Sequence, residues 1–337
     1  MKSQVNKNRI LETINIFRNN CNNLLLEEIN CSSLISHNDH TLRFVNSTTS
    51  VMKPYIEFID NYTGIYLVQP SVGFQGVLNW KNKKIISPYS SYFIAIGTLS
   101  PMCYLSRCIQ ETEIFLTQAF GFSPDDIILG YYFTDVDFKE HLKGCNFQVF
   151  AESDFIHAYR HCFGSASLTG RNINIYHWQD EHKTEIGNVI IIENSGLSVG
   201  VEVSFDIPLL IQSRYNYVHA VDTLPAAEVI RQILPDYRCH DGLVELADLV
   251  TLGINLMIDG LKIKSRGREG NLKLTIKLVA EIVKAFSLPE WKLCHILRKT
   301  IEAEKDIRKI LKYSETLQCN DEIQNMYIEK LREMLFG

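Results

Sequence analysis

The pattern of apolar residues changes character near residue 240, and no other feature constrains the fold as much. C-terminal to that point every apolar stripe has helical spacing. Leu243, Leu246, Ala247, Val250, Ile254, Met257 and Ile258 form the first, and Gly260 is placed to end it. A second stripe runs through Leu274, Leu278, Ile282, Val283 and Phe286. A third holds Leu297, Ile301, Ile307, Ile310 and Leu311, and the last Ile323, Tyr327, Leu331 and Leu335. Before residue 240 the chain alternates short β-branched or aromatic runs with a few helical ones. Strands are predicted at Ile65–Gln69, Tyr92–Ile96, Phe147–Phe150, Asn172–Tyr176, Val189–Ile192 and Val201–Ile207. Helices are predicted at about 8–20, where Ile10, Ile14 and Phe17 share a face, and at about 106–120 and 153–163. Irregular spacing between strands predicts an α+β sheet domain over 1–238, followed by an all-helical domain over 239–337.

A chain of 337 residues is long enough for two domains with a real core. Hydrophobic residues make up 46% and charged ones 22%, which excludes a disordered or collagen-like chain. The net charge of -5, from 34 basic and 39 acidic side chains, excludes a composition-driven pull on nucleic acid. No apolar run reaches the roughly 18 residues of a membrane helix, and Met1 to Arg9 has no apolar signal segment. The nine cysteines are scattered without CxxC spacing, so free thiols in a reducing cytoplasm are expected.

Four segments carry candidate chemistry. Ser32 to Phe44 packs His37, Asp39, His40 and Arg43 into a short polar run, read as a hydrogen-bonded turn or as a catalytic or metal site. His157, His161 and Cys162 fall on the helix predicted over 153–163, but no glutamate follows His157, so the zincin motif fails. Val221 to Val229 reads as a helix start, with Asp222 or Thr223 as cap and Pro225 in the first turn. The alternative places Asp222 in a cleft against a ligand ammonium. Lys262 to Lys273 holds five basic groups, among them Lys264, Arg266, Arg268 and Lys273, and reads as a phosphate or tRNA contact or as a solvated loop. No Walker A, GxGxxG or nucleophile-elbow motif is present.

Taken in order, these stretches resemble the catalytic core of alanyl-tRNA synthetases, which are class II enzymes. Ser32 to Phe44 resembles the family's Ser-Ser-Leu-Val-Pro-His-Asn-Asp-Pro-Thr-Leu run. Thr49 to Tyr55 resembles motif one. Tyr92-Phe93 through Gly97-Thr98-Leu99-Ser100 resembles part of motif two. Asp222-Thr223 with Glu228-Val229-Ile230 resembles motif three, Asp-Thr-Gly-Met-Gly-Leu-Glu-Arg-Ile. Leu246 to Gly260, then Gly267-Arg268, resembles the entry to the tRNA-recognition domain. The resemblance implies a class II antiparallel sheet flanked by helices, then the start of that helical domain.

The departures bear on function. Class II enzymes grip ATP with arginines in motifs two and three, whose charge is difficult to replace. Here Gly73 and Val229 stand at those positions, and Ile94 replaces the motif-two glutamate. Leu224 and Ala226 replace the glycines of motif three. Asp222, which in the family pairs with the amino acid's ammonium, is retained. The resemblance therefore implies a small amine or amino-acid-derived ligand near Asp222, Gly73, Val229 and Ile94, with His37, Asp39 and Arg43 near the mouth, and no ordinary use of ATP and magnesium. A repurposed biosynthetic enzyme is the first expectation. A non-catalytic partner subunit or homodimer, or a divergent alanine-tRNA ligase that still binds ATP and tRNA, are the alternatives. Family members continue into editing and C-terminal domains, so a chain ending after one helical domain carries the expectation of a changed task.

Overall fold

A computed structural model describes residues 4–35, 42–82, 88–164, 167–179, 182–234, 240–312 and 322–336. Among them, nine strands form one mixed sheet: β1 Glu27–Glu28, β2 Ile65–Val72, β3 Tyr92–Ser100, β4 Ile127–Tyr132, β5 Gln148–Glu152, β6 Arg160–Cys162, β7 Leu168–Gln179, β8 His182–Asn194 and β9 Leu197–Asp206. Their order is β1-β2-β3-β9-β8-β7-β4-β5, with β6 added onto β7. The pairings are antiparallel except β1 with β2 and β4 with β5. The expected antiparallel sheet is thus the centre of a mixed one. All six predicted strand runs are strands. The short strands β1 and β6 escaped prediction, as did β4, which lies inside the sheet between β7 and β5.

The helices are α1 Val5–Asn23, α2 Thr49–Ile56, α3 Gln75–Lys81, α4 Leu105–Ile114, α5 Val136–His141, α6 Ile207–Tyr215, α7 Pro225–Ile233, α8 Asp241–Ile258, α9 Gly267–Ala285, α10 Glu290–Lys309 and α11 Glu322–Phe336. The four C-terminal stripes fall on α8 to α11. The helix predicted over 106–120 ends at Ile114 and continues as a π-helical turn, Phe115–Ala119. The helix predicted over 153–163 is a correction: Ile156–Tyr159 is a 3-10 turn, and Arg160–Cys162 is β6. His161 and Cys162 extend because they pair with Gly170 and Thr169 of β7, and a ladder to a long strand overrides local helical spacing.

Side chains alternate across the sheet and give it two unlike faces. One is apolar: Val68, Ile96, Val189, Ile173, Val203 and Phe205 point to α1, the π turn and α4. Phe17 of α1 meets Tyr66 edge-on at 5.8 Å, and Phe115 meets Phe205 at 5.2 Å. The other face carries Gln69, Ser71, Glu202, Ser204, Asp206, Asn188, Asn174 and Asn172 along the same strands. Most of these polar groups are buried and are bonded by other segments of the chain: Gln69 by Ser32, Glu202 by Thr48 and Thr49, and Asn172 and Asn174 to the Ala158 carbonyl.

The C-terminal helices join this core through buried polar ties. Asp248 of α8 accepts from Trp80 Nε1 at 2.9 Å, Ser91 N at 2.7 Å and Ser91 Oγ at 2.6 Å. Asp259 accepts from Leu34 N at 2.5 Å and pairs with the buried Arg308 of α10. Ser32, next to it, exchanges hydrogen bonds with Gln69 on the polar face, at 2.8 and 3.0 Å. The start of the Ser32–Phe44 segment is therefore pinned between helices and sheet. The expected domain boundary at 238 lies outside the described residues.

Candidate ligand-binding site

The segment leading into α2 crosses the polar face and is fastened to it by a buried carboxylate. Thr48 Oγ1 donates to Glu202 Oε1 at 2.5 Å, and Thr49 Oγ1 donates to Glu202 Oε2. Glu202 is fully buried. Burial drives its pKa upward, and the two threonine hydroxyls pull it back down. Beside it, Ser204 Oγ donates to Asn188 Oδ1 at 2.9 Å.

Next to these groups lies a cavity of about 190 Å³, bordered by Tyr89, Phe93, Glu185, Asn188, Ser204 and Asp206. Two carboxylates enter it from different strands. Asp206 ends β9 and caps α6, where Oδ1 accepts from Leu209 N at 3.1 Å and Pro208 occupies the first turn. Burial raises its pKa from 3.8 to about 7, against a lowering by the Leu209 amide. Glu185 reaches the cavity through a β-bulge in β8. Ile175 stands opposite Gly187, but Tyr176 stands opposite Glu185, so Ile186 is the extra residue. Without that extra residue, strand alternation would send Glu185 to the apolar face. Burial pushes Glu185 up to about 7, and Lys183 partly offsets it. The Lys183 ammonium lies 4.3 Å from the centre of the Tyr176 ring. Tyr89 is 43% exposed overall. Its phenol is nevertheless held neutral by burial first, then by the fields of Glu185, Asp206 and Tyr176.

Among the described residues bordering this cavity there is no lysine, arginine or histidine. Its field is negative or, with the carboxyls protonated, neutral. With the carboxyls ionised, that field favours a cation over a phosphate. The described residues also contain no group of three metal-type ligands, and none of their helices is long and apolar enough to cross a membrane.

The positions singled out from sequence are distributed differently. His37 and Asp39 lie outside the described residues. Arg43 is exposed, next to Phe44, whose ring lies 6.0 Å from that of Phe74. Gly73 follows β2, its amide bonded to Ser91 O at 2.9 Å. Ile94 is buried on the apolar face and, with Leu224 and Glu304, borders a space of about 10 Å³. Val229 packs half-buried on α7 against the core. Asp222 is buried in a 3-10 turn, Ala220–Thr223, where its carboxylate accepts from His219 N at 3.2 Å and lies 3.9 Å from Arg231. Its carbonyl accepts from Asn6 Nδ2 at 2.8 Å and from Arg231 at 2.9 Å. The cap expected for α7 is corrected: Leu224 stands at that position without a side-chain bond, and Asp222 closes the preceding turn. None of Gly73, Ile94, Asp222 and Val229 borders the polar-face cavity.

The basic run from Lys262 is tied locally. Lys264 pairs with Glu269 at 2.8 Å, Arg268 donates to Leu42 O at 2.8 Å, and Lys273 reaches Ser265 Oγ at 3.4 Å. Arg266 stands exposed before α9. Of the two histidines predicted on one helix face, His157 lies in the 3-10 turn and His161 stacks on Phe163.

Sequence reasoning missed Tyr89, Glu185 and Asp206. Asp206 carried a signal, since Asp followed by Ile-Pro at a strand end is a helix cap. Glu185 carried none, because its direction depends on the bulge. No protein-family model matches the chain, and no curated protein matches it.

Proposed function

We propose that this chain is an alanyl-type class II synthetase-like protein that does not carry out ATP-dependent adenylation and that binds a small amine on the polar face of its sheet. The carrying observation is the cavity itself: Asp206 and Glu185 enter it, and no cation borders it among the described residues. At an effective dielectric of about 20, a unit charge 4 Å from a carboxylate is worth about 4 kcal/mol. That sign favours an ammonium and disfavours each phosphate of ATP. Away from this cavity, Gly73 and Val229 stand where the family that the sequence resembles carries its ATP-binding arginines, a separate argument against adenylation. ATP does not fit these residues, so no step is assigned to it. Nor is tRNA assigned a part, because Lys264 and Arg268 are already engaged within the chain.

Two measurements test this. Pyrophosphate exchange with alanine and ATP should show no turnover. Calorimetric titration with simple alkylamines should show binding that Asp206→Asn removes. Robust exchange, or amine binding indifferent to Asp206→Asn, overturns the proposal.

A further inference from the structure

Where α10 packs on the sheet domain, one carboxyl enters a mainly apolar junction. Ile10 of α1, Tyr92 and Ile94 of β3, Ile207 of α6, Leu224 and Ile307 border the space of about 10 Å³, which has room for roughly one water molecule. Glu304 of α10 borders it too and is 1% exposed. Its Oε2 has no hydrogen-bond partner among the described residues. No lysine, arginine or histidine borders the space among those residues. The cation acting on Glu304 is Arg308, one turn further along α10. Arg308 is already engaged, since it pairs with Asp259 and donates Nε to Asn255 Oδ1 at 3.0 Å. From α8, Asn255 hydrogen-bonds Glu304. From α1, Lys7 is paired with Asp306 at 2.9 Å. From β3 comes the Tyr92 phenol, while α6 and the turn before α7 bring only apolar groups. Burial raises the Glu304 carboxyl from 4.5 to about 7, with Asn255 and Arg308 lowering it.

We propose that a proton on Glu304 is the clasp of α10: with the carboxyl neutral the helix stays seated on Ile10 and Ile94, and with it ionised the helix opens until water reaches the carboxylate. A neutral acid suits a space lined by isoleucine and leucine. A carboxylate there has one oxygen without a donor and shares its cation with Asp259, and a buried charge so placed is relieved by solvation. The Lys7–Asp306 pair takes no part in the change, because Lys7 holds Asp306 below the usual carboxylate range. The opened carboxyl ionises above about 4.5 and the seated one above about 7, so seating is strongest below 4.5 and weakens until about 7.

The test is amide hydrogen exchange of the full chain at pH 6 and pH 8, corrected for intrinsic exchange. Protection of the α10 amides around Glu304 should fall roughly tenfold between the two, and in Glu304→Gln by less than about threefold. At pH 8 those amides should also be roughly tenfold or more less protected than the slowest amides of β8 and β9, which marks a local opening. Three results overturn the clasp. The first is α10 protection that does not change with pH, and the second is an equal fall in Glu304→Gln. The third is exchange of α10 together with β8 and β9 at pH 8, since Glu304 would then act on overall stability alone. The pH series and the comparison with the sheet on the unaltered protein decide the matter even if the variant fails to fold.

Discussion

Neutralising Asp206 should stabilise the protein, and by an amount that grows with pH. In Asp206→Asn the amide oxygen still caps α6 through the Leu209 amide, so the helix start is kept while the charge is removed. The Asp206 carboxyl is raised from 3.8 to about 7 by burial. Below pH 3.8 folded and unfolded chains both hold the proton, and the native protein has its full stability from this group. Between 3.8 and about 7 the unfolded carboxyl ionises while the folded one does not, so stability falls as pH rises. Above about 7 both are ionised and the loss is complete. The rise from 3.8 to about 7 sets an upper bound of about 4 kcal/mol. Because buried sites behave with an effective dielectric nearer 20, about 2 kcal/mol is the expected size. Urea unfolding of both proteins in amine-free buffers from pH 4 to pH 8 measures it. The variant should match the unaltered protein near pH 4 and exceed it by about 2 kcal/mol at pH 8. Parallel curves, or a less stable variant at pH 8, would refute the assignment of Asp206 as a half-buried carboxyl held neutral by desolvation.

Two further substitutions probe the ties around the site. Thr48→Val removes one of the donors to the buried Glu202 and should cost about 1–3 kcal/mol in urea unfolding at neutral pH. A loss below about 0.5 kcal/mol would show that Glu202 is satisfied elsewhere. Arg308→Met strands Asp259 in the interior, with an expected cost of about 3–5 kcal/mol. Thermal unfolding of that variant at an unchanged temperature would remove the Asp259–Arg308 pair from the forces joining α10 to the Ser32–Ile35 loop.

What could be read without the structure was whatever depends on near neighbours. The spacing of Leu243 through Ile258 specifies α8, and the β-branched runs at Val189 and Val201 specify strands, because a side chain's direction repeats every 3.6 or 2 residues. The helix read over 153–163 failed for the complementary reason. His161 and Cys162 owe their extension to Gly170 and Thr169, and no local spacing records that partner. The same limit hid the site. Asp222, Gly73, Val229 and Ile94 were grouped by motif order, yet Ile94 points to the apolar face and Asp222 serves a turn.

The sequence by itself determined most element types and the switch to helices after residue 240. Only tertiary structure decided that Asp206, Glu185 and Tyr89 meet in one cavity. That meeting depends on the β3-β9-β8-β7 pairing order and on one extra residue, Ile186. In a strand of period 2, a single inserted residue reverses the direction of every side chain beyond it. Whether the insertion is accommodated depends on burial across the whole sheet, because no short window of sequence contains both strands.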